Sequence, residues 1–154
     1  MKNTMLEMSR YAALARQAVA EGVVLLKNEA VLPLAPGGRA ALFGYAQFHY
    51  YKSGTGSGGL VNVTHVPNLP EILGGDGGYR LDAEVQACYA AWLADHPYEM
   101  GTGWAQEPWF QPEMPLDEEF VRAAAQRADT AFIVIGRTAG EDQDNTNTPG
   151  SFLL

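Results

Sequence analysis

Three observations predict an α/β domain, a mostly parallel sheet flanked by helices. Ala131-Phe132-Ile133-Val134-Ile135 is an unbroken apolar run, rich in β-branched residues and closed by Gly136. It is too short for a helix and reads as a buried, central strand of a parallel sheet. Arg39-Ala40-Ala41-Leu42-Phe43, closed by Gly44, is an earlier strand, and helical patterns stand between the strands. Such alternation implies parallel pairing with helices on both faces. Ligands of such sheets bind outside the carboxyl ends of the strands, so the chemistry is expected in Gly136 to Asn145, where Arg137, Glu141, Asp142 and Asp144 share one loop. An exposed connection is ordinarily polar, and this loop read alone is open to that plainer explanation.

From the amino end, Met8, Ala12, Ala15, Val19, Val23 and Leu26 recur at steps of three and four, which predicts a helix from about Thr4 to Val24 with one stripe packed on a core. Leu32 to Gly38 holds two prolines and a glycine pair, a turn into the first strand. The aromatic stretch Tyr45, Phe48, His49, Tyr50 and Tyr51 follows that strand, suited mostly to core packing and in part to a sugar-binding wall. Gly54, Gly56 and Gly59 spell the dinucleotide-binding pattern. The context is wrong, because about ten residues separate it from the strand and Leu60-Val61-Asn62-Val63 continues as an extended segment.

Pro67 to Leu73 has a short helical pattern with Pro70 in its first turn, and a glycine-rich turn then leads to an extended piece at Tyr79-Arg80-Leu81. Asp82 is the N-cap of a helix to about Asp95, with Val85, Cys88, Tyr89, Trp92 and Leu93 on one face. Tyr98 to Pro115 is an irregular, proline-rich excursion whose tryptophans, Trp104 and Trp109, pin it to the domain. Asp117 caps the next helix, with Phe120, Val121, Ala124 and Ala128 as its buried stripe. Ser151 to Leu154 reads as the start of another helix.

Composition sets limits on function. A chain of 154 residues with 47% hydrophobic content is one globular domain, and no apolar run approaches the ~20 residues a membrane span needs. A net charge of −8 argues against a nucleic-acid partner, since phosphate backbones are met by basic faces. One cysteine, Cys88, forms no internal disulfide and belongs in the core. No histidine stands at metal-ligand spacing, so neither metal nor cofactor is expected. Met1-Lys2-Asn3-Thr4 leads into a charged amphipathic helix without a signal-peptide core, and a cytoplasmic location is expected.

Three stretches in order carry a family resemblance: Ala15 to Glu29 followed by Leu32-Pro33-Leu34, Lys52-Ser53-Gly54-Thr55-Gly56-Ser57-Gly58, and Gly140-Glu141-Asp142-Gln143-Asp144. They resemble the opening, the glycine-serine loop and the late acidic loop of the α/β sandwich domain of glycoside hydrolase family 3, the β-glucosidases and β-xylosidases. The resemblance covers nearly all of the chain. It implies a partial α/β sandwich of flavodoxin-like layering, lacking the sandwich's further strands and the family's catalytic barrel. An unfinished sheet exposes an edge strand, so self-association is expected.

Retaining glycosidases use one carboxyl group as acid/base and a second, about 5–5.5 Å away, as nucleophile. The resemblance implies that the nucleophile belongs to the barrel and that Glu141 is the acid/base. Asp144 is implied as a substrate-hydroxyl or loop-ordering contact, and Lys52 and Ser53 as substrate contacts. Where relatives commonly carry arginine after that aspartate, this chain has Asn145. The expected function is part of a retaining β-glycosidase acting on terminal β-linked sugars, with a carbohydrate substrate and the missing barrel domain as partners, and with no activity in the isolated chain. Alternatives from other classes are a non-catalytic carbohydrate-binding or interaction module and a flavodoxin-like nucleotide binder.

Overall fold

The computed structural model describes residues 7–49, 56–59, 61–103, 105–138, 141 and 144–153. The chain divides into two units, Met1–Leu34 and Ala35–Leu154. In the first, α1 spans Met8–Gly22 and ends where Val23 turns extended. Its apolar stripe does not pack as expected: the helix buries no residue, and Met8 and Val19 are 66% and 69% exposed. Periodicity specifies a face, whereas burial requires a second layer, and among the described residues this unit has no other helix or strand. Beyond α1, Asn28 closes a turn. Its Oδ1 accepts from the amides of Val31 and Leu32, both at 3.0 Å, and its Nδ2 donates to the Leu32 carbonyl at 2.8 Å.

The second unit is built on β1 (Arg39–Phe43), β2 (Arg80–Leu81) and β3 (Thr130–Ile133), all parallel, in the order β2-β1-β3. The central strand is therefore β1, and its last four residues are buried. This corrects the reading of the Ala131 to Ile135 run. Regular pairing stops at Ile133, and β3 lies at an edge of the described sheet with half-buried and exposed residues alternating. Ile133 and Ile135 are 74% and 57% exposed. An apolar run requires a cover for full burial but does not supply one.

Two helices close over β1 and a third lies against β2, each begun by a local cap. Asp82 accepts from the amides of Glu84 and Val85 and begins α3 (Ala83–Asp95). Asp117 accepts from Phe120 at 2.7 Å and begins α4 (Glu118–Arg127), with Glu118 and Glu119 in its first turn. A capping box of Asn68 and Glu71 starts the shorter α2 (Leu69–Gly74), with Pro70 in its first turn. The core joins Ala41 and Phe43 to Val85, Tyr89 and Ala124, with Phe48, Met114, Phe120 and Ala128 packed against it. Full burial of a side chain such as Val85 contributes roughly 1.5–3 kcal/mol. Val121 is exposed and Cys88 only half-buried, so both predicted stripes are narrower than the sequence suggested. Residues 61–63 form no strand, and Leu60 lies outside the described residues. Residues 151–153 form a turn beside an isolated bridge of Pro149 with Leu153 rather than a helix.

At the amino ends of the strands, Asp129 receives the backbone amide and side chain of Arg39, with contacts of 3.0, 3.2 and 2.6 Å. The side-chain bond and the amide lower the Asp129 carboxyl from 3.8 to about 2. Because the folded value lies below the ordinary one, this contribution to stability is complete above pH ~4 and is lost as pH falls towards 2. Replacing Asp129 by Asn should flatten the stability profile in that window, measured by urea denaturation at several pH values. Parallel profiles for the two proteins would exclude this role for the pair.

Candidate functional site

The parallel register sets Phe43 beside Ile133, so β1 and β3 release their following segments at one level. The two stay together beyond the strands, where Val134 donates its amide to the Phe43 carbonyl at 2.9 Å. Gly44, with φ +100, lies so close that a Cβ there would be 2.0 Å from the Val134 carbonyl oxygen. Only glycine fits this approach.

The excursion through residues 98–115 is fastened beside these ends. Gln111, 7% exposed, exchanges two 3.0 Å bonds with the backbone of Glu99. The Tyr45 amide donates to Glu113 at 2.7 Å, and the Thr138 amide donates to the Trp109 carbonyl at 3.0 Å. Tyr45, His49 and Tyr98 form a stack, with His49 and Tyr98 at 4.7 Å. Burial lowers the His49 pKa. Tyr45 and Phe48 thus serve packing, as read from sequence, while Tyr50 and Tyr51 lie outside the described residues. Trp109 is half-buried on the fastened excursion, and Trp104 lies outside the described residues.

Against this frame sits a 3-10 turn, Gly56–Gly58. The Ser57 amide donates to Glu141 Oε2 at 2.9 Å, and the Gly56 amide donates to Glu107 Oε1 at 3.3 Å. Neighbouring peptide groups thus hold two different carboxylates. Gly56 has φ +68, and a Cβ there would meet the Glu141 Cβ at 2.7 Å, so the glycine lets the turn lie directly on the glutamate. Glu141 is otherwise exposed. Its carboxyl lies below its ordinary pKa, chiefly through the Ser57 side chain and then the Ser57 amide. These donors stabilise the ionised form.

Of the residues singled out from sequence, Glu141 is thus brought against the glycine-serine loop. Lys52 and Ser53 lie outside the described residues. Asp144 is exposed, and among the described residues its carboxylate has no partner. Glu107 and Ser57 carried no assigned role, because sequence gives no way to pair residue 56 with 107 or residue 57 with 141. Two of the loop's described amides, those of Gly56 and Ser57, are taken by carboxylates and are not free for a phosphate.

Several buried polar atoms here lack a partner among the described residues. They are the donors Trp109 Nε1 and Arg137 Nε and the acceptors Glu107 Oε2 and Asn145 Oδ1. Arg137 also lies over the Phe110 ring at 5.7 Å and donates to the Gly136 carbonyl. Among the described residues, no group of three His, Cys, Asp or Glu side chains is placed to hold a metal. No described helix is long and apolar enough to cross a membrane.

The Ser57 contact yields a direct test. Replacing Ser57 by Ala keeps the amide and removes the hydroxyl, so the Glu141 carboxyl should titrate at higher pH, followed by carbon-13 NMR of its Cδ. An unchanged midpoint would mean that the hydroxyl does not hold the carboxylate.

Residues 23–151 match the Glycosyl hydrolase family 3 C-terminal domain. The chain is 48% identical over 149 residues to a β-glucosidase of Ruminococcus albus, covering 97% of this chain and 16% of that protein. It is 39% identical over 140 residues to β-glucosidase A of Butyrivibrio fibrisolvens, again covering 16% of the relative. Among solved structures, a β-glucosidase from Paenibacillus barengoltzii superposes with a TM-score of 0.86 at 46% identity, over 94% of this chain and 16% of that one. β-Glucosidase 3B from Thermotoga neapolitana, in complex with α-D-glucose, gives 0.79 at 31% identity, over 96% and 21%. The chain therefore spans about a sixth of the length of the curated relatives it matches.

Proposed function

Because the chain belongs to glycoside hydrolase family 3 and corresponds to its C-terminal α/β domain, we propose that it forms part of a retaining β-glycosidase acting on terminal β-linked sugars. In this reading Glu141 is the acid/base. The supporting observation is the placement of its carboxylate on the glycine-serine turn, beyond the carboxyl ends of β1 and β3. Lys52, Ser53 and Asp144 are its candidate sugar contacts. The unpaired Trp109 Nε1, Arg137 Nε and Asn145 Oδ1 on the same loops suit a saccharide, whose hydroxyl groups both donate and accept. No metal or organic cofactor is required by this chemistry.

Glu141 protonates the departing glycosidic oxygen while a carboxylate from a barrel domain attacks the anomeric carbon, giving a covalent glycosyl ester. The ionised Glu141 then takes a proton from water as that water displaces the ester. In this chain alone the glutamate is exposed and held ionised by Ser57, the form suited to the second step. The first step needs it protonated, and enclosure by a barrel and a sugar would raise its pKa by removing water. The partners in this reading are a barrel domain and a carbohydrate, and the proposed location is the cytoplasm.

The test is activity on aryl glycosides by the longest natural reading frame containing this segment, wild type against Glu141→Gln. A loss of roughly 10²–10⁴-fold in kcat/KM for poor leaving groups is the expected result, with azide restoring turnover of activated aryl glycosides, whose first step needs no acid, as glycosyl azide. Unchanged activity would move the acid/base elsewhere. The 154-residue chain alone should not hydrolyse an aryl β-glucoside, because the nucleophile is assigned to the barrel. Clear turnover by pure chain would overturn that assignment. A purely sugar-binding module is the second reading, favoured by the exposed, ionised state of Glu141. It would show saccharide affinity that survives Glu141→Gln without any hydrolysis in the longer protein.

A further inference from the structure

Resting on the reading of Glu141 as acid/base, we infer that Glu107 is its positioning residue. By accepting the Gly56 amide, Glu107 fixes the turn whose next amide, that of Ser57, holds the Glu141 carboxylate. The two bonds leave adjacent peptide groups. The turn therefore cannot rotate to improve one bond without disturbing the other.

Two further features make this contact a constraint. The first is the absence of slack between turn and glutamate, since the Gly56 backbone lies where an added Cβ would be 2.7 Å from the Glu141 Cβ. Displacement of the turn must then displace Glu141. The second is that Glu107 comes from an anchored segment. Gln111 clips to Glu99 on one side, the Trp109 carbonyl holds Thr138, and Ala105 is buried two residues before the glutamate.

The orientation of Glu107 also separates this role from a direct sugar contact. Its Oε1 meets Gly56, while Oε2 is buried and has no partner among the described residues. Burying an unpaired carboxylate oxygen is unfavourable, and among the described residues the bond to the turn is the one hydrogen bond that offsets it. What the turn needs is an acceptor at that reach. Glutamine supplies one, aspartate falls short by a methylene, and alanine supplies none.

The test compares Glu107→Gln, Glu107→Asp and Glu107→Ala in two settings. In the 154-residue chain, the Ser57 amide proton is followed by NMR through the titration of Glu141. The Ala and Asp variants should lose most of the pH-dependent Ser57 shift and raise the Glu141 midpoint, whereas Gln should match wild type. In the longest natural reading frame, the same two variants should lose between about ten and a hundredfold in kcat on poor leaving groups, as a displaced catalytic group does. Good leaving groups should be less affected, and Gln should restore the rate. If the Ala variant unfolds by circular dichroism, the Asp variant carries the test. Wild-type Ser57 titration in both Ala and Asp, or a Gln variant that behaves like Ala, would overturn the inference. Altered titration without any dependence on leaving group would instead support the Glu107 contact and overturn the acid/base role of Glu141.

Discussion

The side-by-side ending of β1 and β3, sealed by the close approach of Gly44 to the Val134 carbonyl, is the constraint on which the site depends. Parallel pairing alone brings two carboxyl ends to one level. The glycine then keeps the chains together past the last paired residues, and the Val134 bond to Phe43 holds them there. The site at these ends therefore rests on backbone geometry, supported underneath by the buried β1 and the packing of Val85, Tyr89 and Ala124.

Negative charge is held in two different ways around the sheet. Before β1 and β3, and where β2 hands over to α3, carboxylates are matched to arginines: Asp129 to Arg39, and Asp82 and Glu84 to Arg127. Burial pushes the Asp82 carboxyl up, yet Arg127 and the amides of Val85 and Glu84 together bring it below its ordinary value. At the carboxyl ends, Glu107, Glu113 and Glu141 accept from backbone amides of Gly56, Tyr45 and Ser57. Peptide donors orient a carboxylate without supplying a full positive charge. A carboxylate so held can still be brought to protonation when its surroundings lose water, which is compatible with the acid/base role proposed for Glu141.

Local signals in the chain specify structure where their effect is local. The caps at Asp82 and Asp117, the extent of β1 and the short β2 all appear where the sequence places them, because a cap or an apolar run is decided within a few residues. Family membership was legible for a related reason, since its motifs are contiguous words. Burial does not follow from pattern alone. The α1 stripe and Ile133 are apolar but uncovered, and Val121 faces outward, since an amphipathic face records what a residue suits and not what lies opposite it.

The sequence by itself determined the α/β class, the capped starts of α3 and α4 and the loop on which Glu141 sits. Tertiary structure decided that β1 rather than β3 is central, and that Glu141 meets Ser57 while Glu107 meets Gly56. These pairings join residues 84 and 51 positions apart along the chain. The physical reason is that a hydrogen bond requires placement to a fraction of an ångström, and that placement is set by strand register and packing, which no local run of residues encodes.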